Sequence, residues 1–144
     1  MKIYFVVSSL QQRSGVERVI SILANSLQKK QFQIYVLNRD TTQHECAFLL
    51  HPKIQVLCLN GSLFEFYQKI NQQIKNIQPD IIFIHNMGKL TPFCLLLNSK
   101  IPMISLEHVA FSSRSLLLRT LSKLIYPKID HVITLTYQDL HSYQ

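Results

Sequence analysis

Charge is scarce in this chain. Asp, Glu, Lys and Arg make up 16% of its 144 residues, while 47% are apolar, a balance that excludes a disordered or heavily solvated chain and suits strands buried on both faces. Long apolar runs are also missing. Stretches such as Ile81–Ile84 and Ile101–Leu106 fall far short of the roughly 20 residues that cross a bilayer, so no transmembrane segment is expected. The amino terminus has Lys2 before the apolar run Ile3–Val7, but no small-residue cleavage site follows; it reads as a first strand and not as a signal peptide. Cysteine is sparse and unpaired in pattern. Cys46, Cys58 and Cys94 are widely spaced, which excludes a disulfide framework and points to a reducing setting. His44, His51, His131 and His141 have no ligand spacing, so no metal is expected. There is no Cys/His finger, no RNA-binding aromatic signature and no dense basic recognition helix, and no nucleic-acid partner is expected.

What is present is an alternation of strand and helix. The length fits one domain with a real core. Ile3–Val7, Phe32–Leu37, Ile54–Leu59, Asp80–His85, Met103–Leu106 and Asp130–Leu135 read as strands. Between the first two, Val16, Val19, Ile20, Leu23, Ala24 and Leu27 fall on one helical face, with Lys29 and Lys30 suited to its carboxyl end. A second helix starts after the N-cap Ser62 with Leu63, Phe66, Tyr67, Ile70, Ile74 and Ile77 on one face, and Pro79 ends it. Shorter helical segments are expected over Leu90–Asn98 and Ser112–Ile125, and another from Tyr137 to the last residue, Gln144. Alternation of this kind implies an α/β fold: a doubly wound, mainly parallel, Rossmann-like sheet with right-handed crossovers.

Ligands in such sheets bind beyond the carboxyl ends of the strands. The small or polar residues there are Ser8, Ser9, Ser14, Gly15, His85, Asn86, Gly88, Glu107 and His108. Ser14-Gly15-Val16-Glu17-Arg18 forms a turn that opens the first helix, aiming backbone N–H groups and the positive helix end at the crevice, which favours a phosphate. A plain strand-to-helix turn has the same local sequence. The formal charge of +7 draws the chain toward anionic ligands or surfaces without choosing among them. A dinucleotide oxidoreductase is disfavoured, because the turn lacks the three-glycine fingerprint.

Three motifs in order carry a family resemblance. Ser14-Gly15-Val16-Glu17-Arg18-Val19 resembles the Gly-Gly-x-Glu-Arg turn of the family-four glycosyltransferases; Ile104–His108 is similar to their strand ending in histidine; Tyr126–Thr136 is similar to the segment leading into the last strand of their amino-terminal domain. Ser14 stands where many relatives have a glycine, and since serine tolerates unusual dihedrals less readily, a somewhat different loop shape is expected.

The resemblance implies one half of a two-domain GT-B architecture: residues 1–144 as the amino-terminal, acceptor-side domain, with a carboxy-terminal nucleotide-sugar domain as the missing partner. It implies a retaining enzyme that moves a hexose-type sugar from a nucleotide-sugar donor to a lipid-linked or envelope glycan, with no metal or other cofactor and no transfer by this half alone. Ser14 and Gly15 would face the donor phosphate, and His108 would be the catalytic residue. Arg18, His85, Asn86, Lys89 and Glu107 would serve the acceptor, although a local ion pair for Arg18 and a satisfied edge histidine for His85 remain open, and strand alternation points Glu107 away from His108. In the leucine-rich segment, Phe111, Arg114, Leu117, Leu118 and Arg119 are candidates for an anionic membrane surface; cover by the second domain is the alternative. A peripheral place on the cytoplasmic membrane face, in polysaccharide or lipopolysaccharide assembly, follows from the resemblance. The competing function is a non-catalytic phosphosugar or nucleotide-binding module.

Overall fold

The computed structural model describes residues 1–86, 90, 97, 100–108 and 115–134. In chain order these form β1 (Lys2–Val6), α1 (Gly15–Lys29), β2 (Gln33–Asn38), a short 3-10 turn (Gln43–Glu45), β3 (Gln55–Cys58), α2 (Leu63–Ile77), β4 (Ile81–Asn86), β5 (Met103–Glu107), α3 (Leu116–Ile125), a second 3-10 turn (Tyr126–Lys128) and β6 (His131–Thr134). All neighbouring strands are parallel, in the order β3-β2-β1-β4-β5-β6. This is the doubly wound α/β sheet expected from the alternation. Its strand order reverses between β1 and β4, which places the topological switch point there.

The two faces of the sheet follow from strand alternation. Tyr4, Val6, Tyr35, Leu37, Ile82 and Ile84 share one face with Phe66, Tyr67, Ile70 and Ile74 of α2, and Leu90, Leu97 and Met103 extend that core. Ile3, Phe5, Val7, Ile34 and Val36 share the other with Val16, Ile20 and Ala24 of α1. The central strands carry apolar residues on both faces, as a covered parallel sheet requires. Buried hydroxyls are satisfied: Tyr67 donates to the Leu90 carbonyl at 2.9 Å and Tyr4 to that of Gln73 at 3.0 Å.

Helix ends explain the boundaries. Ser62 caps α2 in a capping box with Glu65, an arrangement typically worth about 1 kcal/mol. Gly61 precedes it at φ 136°, where an added Cβ would also lie 2.7 Å from Glu65 Oε2; glycine is required there. Gln78 closes α2 in the left-handed region at φ 53°, and Pro79 prevents continuation. The Leu90–Asn98 and Tyr137–Gln144 helices fall outside the described residues, apart from Leu90 and Leu97. So does the start of the Ser112–Ile125 helix, whose described part begins at Leu116 after Ser115.

Candidate functional site

The loop from β1 to α1 crosses the switch point, and its chemistry is local. Ser14 is the N-cap of α1, in ordinary extended backbone at φ −98° and ψ 172°. Any residue adopts this conformation, so serine carries no conformational cost here. The Ser14 hydroxyl accepts from the Val16 N–H at 3.3 Å and donates to the Glu17 carboxylate. That commits the hydroxyl, leaving backbone N–H groups of the first turn to face a ligand. Gly15 is exposed and an added Cβ would meet nothing within 4 Å, so the helix mouth is open at this point. Arg18 is exposed, with no ion-pair partner among the described residues.

The other wall comes from β4 and β5. His85 stands opposite Leu106 in the β4–β5 register, and Asn86 opposite Glu107. His108 follows two residues after Leu106, which puts it on the face of His85 and one step further out. The rings meet there: His85 Nδ1 and His108 Nε2 are 3.3 Å apart, and the rings stack at 19° with centroids 5.5 Å apart. Phe5 of β1 lies behind His85, its centroid 5.3 Å away. His85 is 1% exposed, so it lies beneath the crevice and not at its surface. Burial, reinforced by the neighbouring His108, pushes its pKa down to about 3. His108 is half-buried; burial lowers its pKa too, partly opposed by the carboxylates of Glu107 and Glu17. Both rings are thus neutral at pH 7.

Glu107 points the opposite way, as alternation requires. Its carboxylate is 3% exposed and accepts from the hydroxyls of Ser105, at 2.7 Å, and Tyr126, at 2.6 Å. It ties β5 to the turn after α3 instead of lining the crevice. Sequence reasoning missed Glu17, which is 7% exposed and close enough to bias His108. An acidic residue in a first helical turn looks like a response to the helix dipole; the Ser-x-x-Glu spacing was the available signal. It also missed the loop beyond β2, where Asn38 donates to the Thr41 carbonyl at 2.9 Å and accepts from the Thr41 N–H at 2.6 Å, and Thr41 Oγ1 accepts from the Leu10 N–H at 3.0 Å. This buried lattice fixes the β1 loop from below.

Lys89, Phe111 and Arg114 lie outside the described residues, as do the side chains of Asn86 and Leu118. Leu117 and Arg119 are on α3. A cleft of about 400 Å³ lined by Gln31, Gln33, Lys53 and Gln55 sits at the amino ends of β2 and β3, the wrong end of such a sheet for ligand chemistry. Among the described residues, no group of three His, Cys, Asp or Glu side chains could hold a metal ion.

The small-residue start of α1 follows β1 and His108 follows β5, on the two sides of the switch point. The Glycosyltransferase Family 4 model matches residues 13–141. The chain belongs to this family. It is 27% identical over 146 positions to the amylovoran biosynthesis glycosyltransferase AmsD of Erwinia amylovora, an alignment that takes in 96% of this chain and 40% of that protein. Among solved structures, a Listeria monocytogenes protein assigned as a UDP-N-acetylglucosamine 2-epimerase superposes with a TM-score of 0.59 at 16% identity, over 99% of this chain and 41% of that one; this likeness concerns the fold. The chain thus spans about two-fifths of the length of each. For a family-four chain, the described sheet is the Rossmann-like unit of a GT-B-type fold.

Proposed function

We propose that this chain is the acceptor-side, amino-terminal half of a retaining glycosyltransferase that moves a sugar from a nucleotide-sugar donor to a lipid-linked or envelope glycan. A carboxy-terminal domain would hold most of the donor, and transfer would need both halves to orient the reactants. The observation that carries this is the position of His108: a neutral, half-buried imidazole at the carboxyl end of β5, beside the open mouth of α1.

In this reading the donor diphosphate leaves from the same face on which the acceptor hydroxyl arrives. The leaving phosphate oxygen takes the hydroxyl proton as the new glycosidic bond forms. The Gly15 N–H and the positive end of α1 stabilise the charge that develops on that phosphate. Arg18 adds a mobile cation at the same mouth, and His108 holds a sugar or acceptor oxygen in line. The complete protein, supplied with donor and acceptor, is expected to give a product of the donor's own anomeric configuration, read from the anomeric proton coupling; an inverted product would remove the retaining assignment.

The acceptor class draws support from α3. Leu116, Leu117 and Leu124 are 78%, 71% and 66% exposed, with Arg119 on the same helix, a composition suited to the interface of an anionic bilayer. No helix among the described residues is long and apolar enough to cross a membrane. Sedimentation with phosphatidylglycerol vesicles is expected to fall at least about tenfold in the Leu116→Glu, Leu117→Glu double variant, since each leucine loses its apolar burial. Equal binding by both proteins would assign those leucines to protein cover instead.

A further inference from the structure

The histidine pair carries a second conclusion, because its proton inventory is overdetermined. His85 Nε2 is buried and has no hydrogen-bond partner, whereas Nδ1 faces His108 Nε2 at 3.3 Å. One proton occupies that link. If His108 donated it, neutral His85 would carry its own proton on Nε2, leaving a buried N–H with no acceptor. If His85 donates from Nδ1, only a lone pair is left on Nε2. An orphaned buried N–H is the rarer and costlier defect, so the proton belongs to His85 Nδ1. His108 Nε2 is then the acceptor, and neutral His108 must carry its proton on Nδ1. That nitrogen has no partner among the described residues, on a ring that is half exposed at the strand end.

We propose that His85 is a positioning residue that fixes His108 as its Nδ1–H tautomer, so that His108 offers the crevice a hydrogen-bond donor and not a base. The proposal rests on the transferase reading only for what the donor meets, a sugar or acceptor oxygen. The stacking of the rings and Phe5 behind His85 hold the imidazole planes in place. The charged groups that bear on His108 are Glu17 from α1 and Glu107 from β5. Glu17 accepts from the Ser14 hydroxyl, and Glu107 from those of Ser105 and Tyr126. The arrangement follows the general rule that the bond made by one imidazole nitrogen decides the state of the other.

Long-range 1H–15N correlation spectra of the 15N-labelled chain between pH 5 and 8 read both tautomers. The expected result is His85 as Nδ1–H throughout, with neutral His108 also as Nδ1–H. In His85→Phe, His108 is expected to revert to the Nε2–H form that free imidazole side chains prefer. His108 found as Nε2–H in the unaltered chain overturns the proposal, as does a tautomer unchanged in the variant. Should the variant fail to fold, the spectrum of the unaltered chain decides alone. No sugar enters this measurement. A chain that transfers sugar with His108 as Nε2–H would defeat the tautomer assignment and keep the transferase, whereas the expected spectrum with no transfer by the complete protein would do the reverse.

Discussion

Lowering the pH from 7 to 4.5 is expected to remove about 3 kcal/mol from the stability of the folded chain, with His85 as the main cause. In the unfolded chain its imidazole takes up a proton near 6.5; in the folded chain burial and the neighbouring His108 hold protonation off until about 3. Between those values the unfolded state binds more protons, so acid favours unfolding. The stabilisation is complete above 6.5, declines as the pH falls through the window, and is gone below about 3. His108 adds to the same trend, since its pKa is also lowered. The carboxylates of Glu45 and Glu65, held down mainly by the backbone N–H groups of Thr42 and Ser62, act in the same direction but only nearer their own range around 4.5. A loss of this size is a large share of a domain's typical stability of about 5–15 kcal/mol. Urea denaturation at half-unit pH steps measures it, and His85→Phe is expected to flatten most of the slope between 6.5 and 4.5. A stability that stays level across that interval would show that His85 is solvated or charged in the folded chain.

Replacing His108 is expected to have the largest functional effect. In the complete protein, His108→Ala should lower kcat for sugar transfer by about 10²–10³-fold, the usual cost of removing one positioned polar group from a reacting centre. Stability should fall by about 1–3 kcal/mol, because the buried ring of His85 loses its hydrogen-bond partner, a cost that leaves most of the protein folded. His108→Asn, which retains a donor, should recover part of the rate; steady-state kinetics and thermal melts on the same preparations separate the two effects. A rate that falls only in proportion to the folded fraction would make His108 a structural residue.

How much of this was legible in the sequence depended on whether the signal was local. The run Ile81–Ile84 has no polar alternation, and that alone marks a strand covered on both faces; β4 lies at the centre of the sheet. Strand ends moved by about one residue, with Asn86 and Glu107 joining β4 and β5, because a ladder ends where its partner does and not where hydrophobicity ends. His108 was visible as a histidine at a strand end. His85 was visible only as another one: its burial, and its contact with a residue 23 positions away, depend on the register of two strands that no local pattern specifies. Glu107 shows the converse. Alternation turned it from the crevice, yet its partner Tyr126 lies beyond a helix and could not be paired with it from spacing. Glu17 was hidden by its own plausibility, since the helix dipole accounts for an acidic residue there without any further role.

The central claim is that His108, at the crevice between α1 and the β4–β5 edge, serves retaining sugar transfer. The most direct test is an assay of the complete protein and its His108→Ala variant with a panel of nucleotide-sugar donors and a lipid-linked glycan acceptor, with the product's anomeric configuration read by NMR. The expected result is a retained configuration from the unaltered enzyme and a loss of about 10²–10³-fold in the variant; an inverted product, or a variant as fast as the unaltered enzyme, would contradict it.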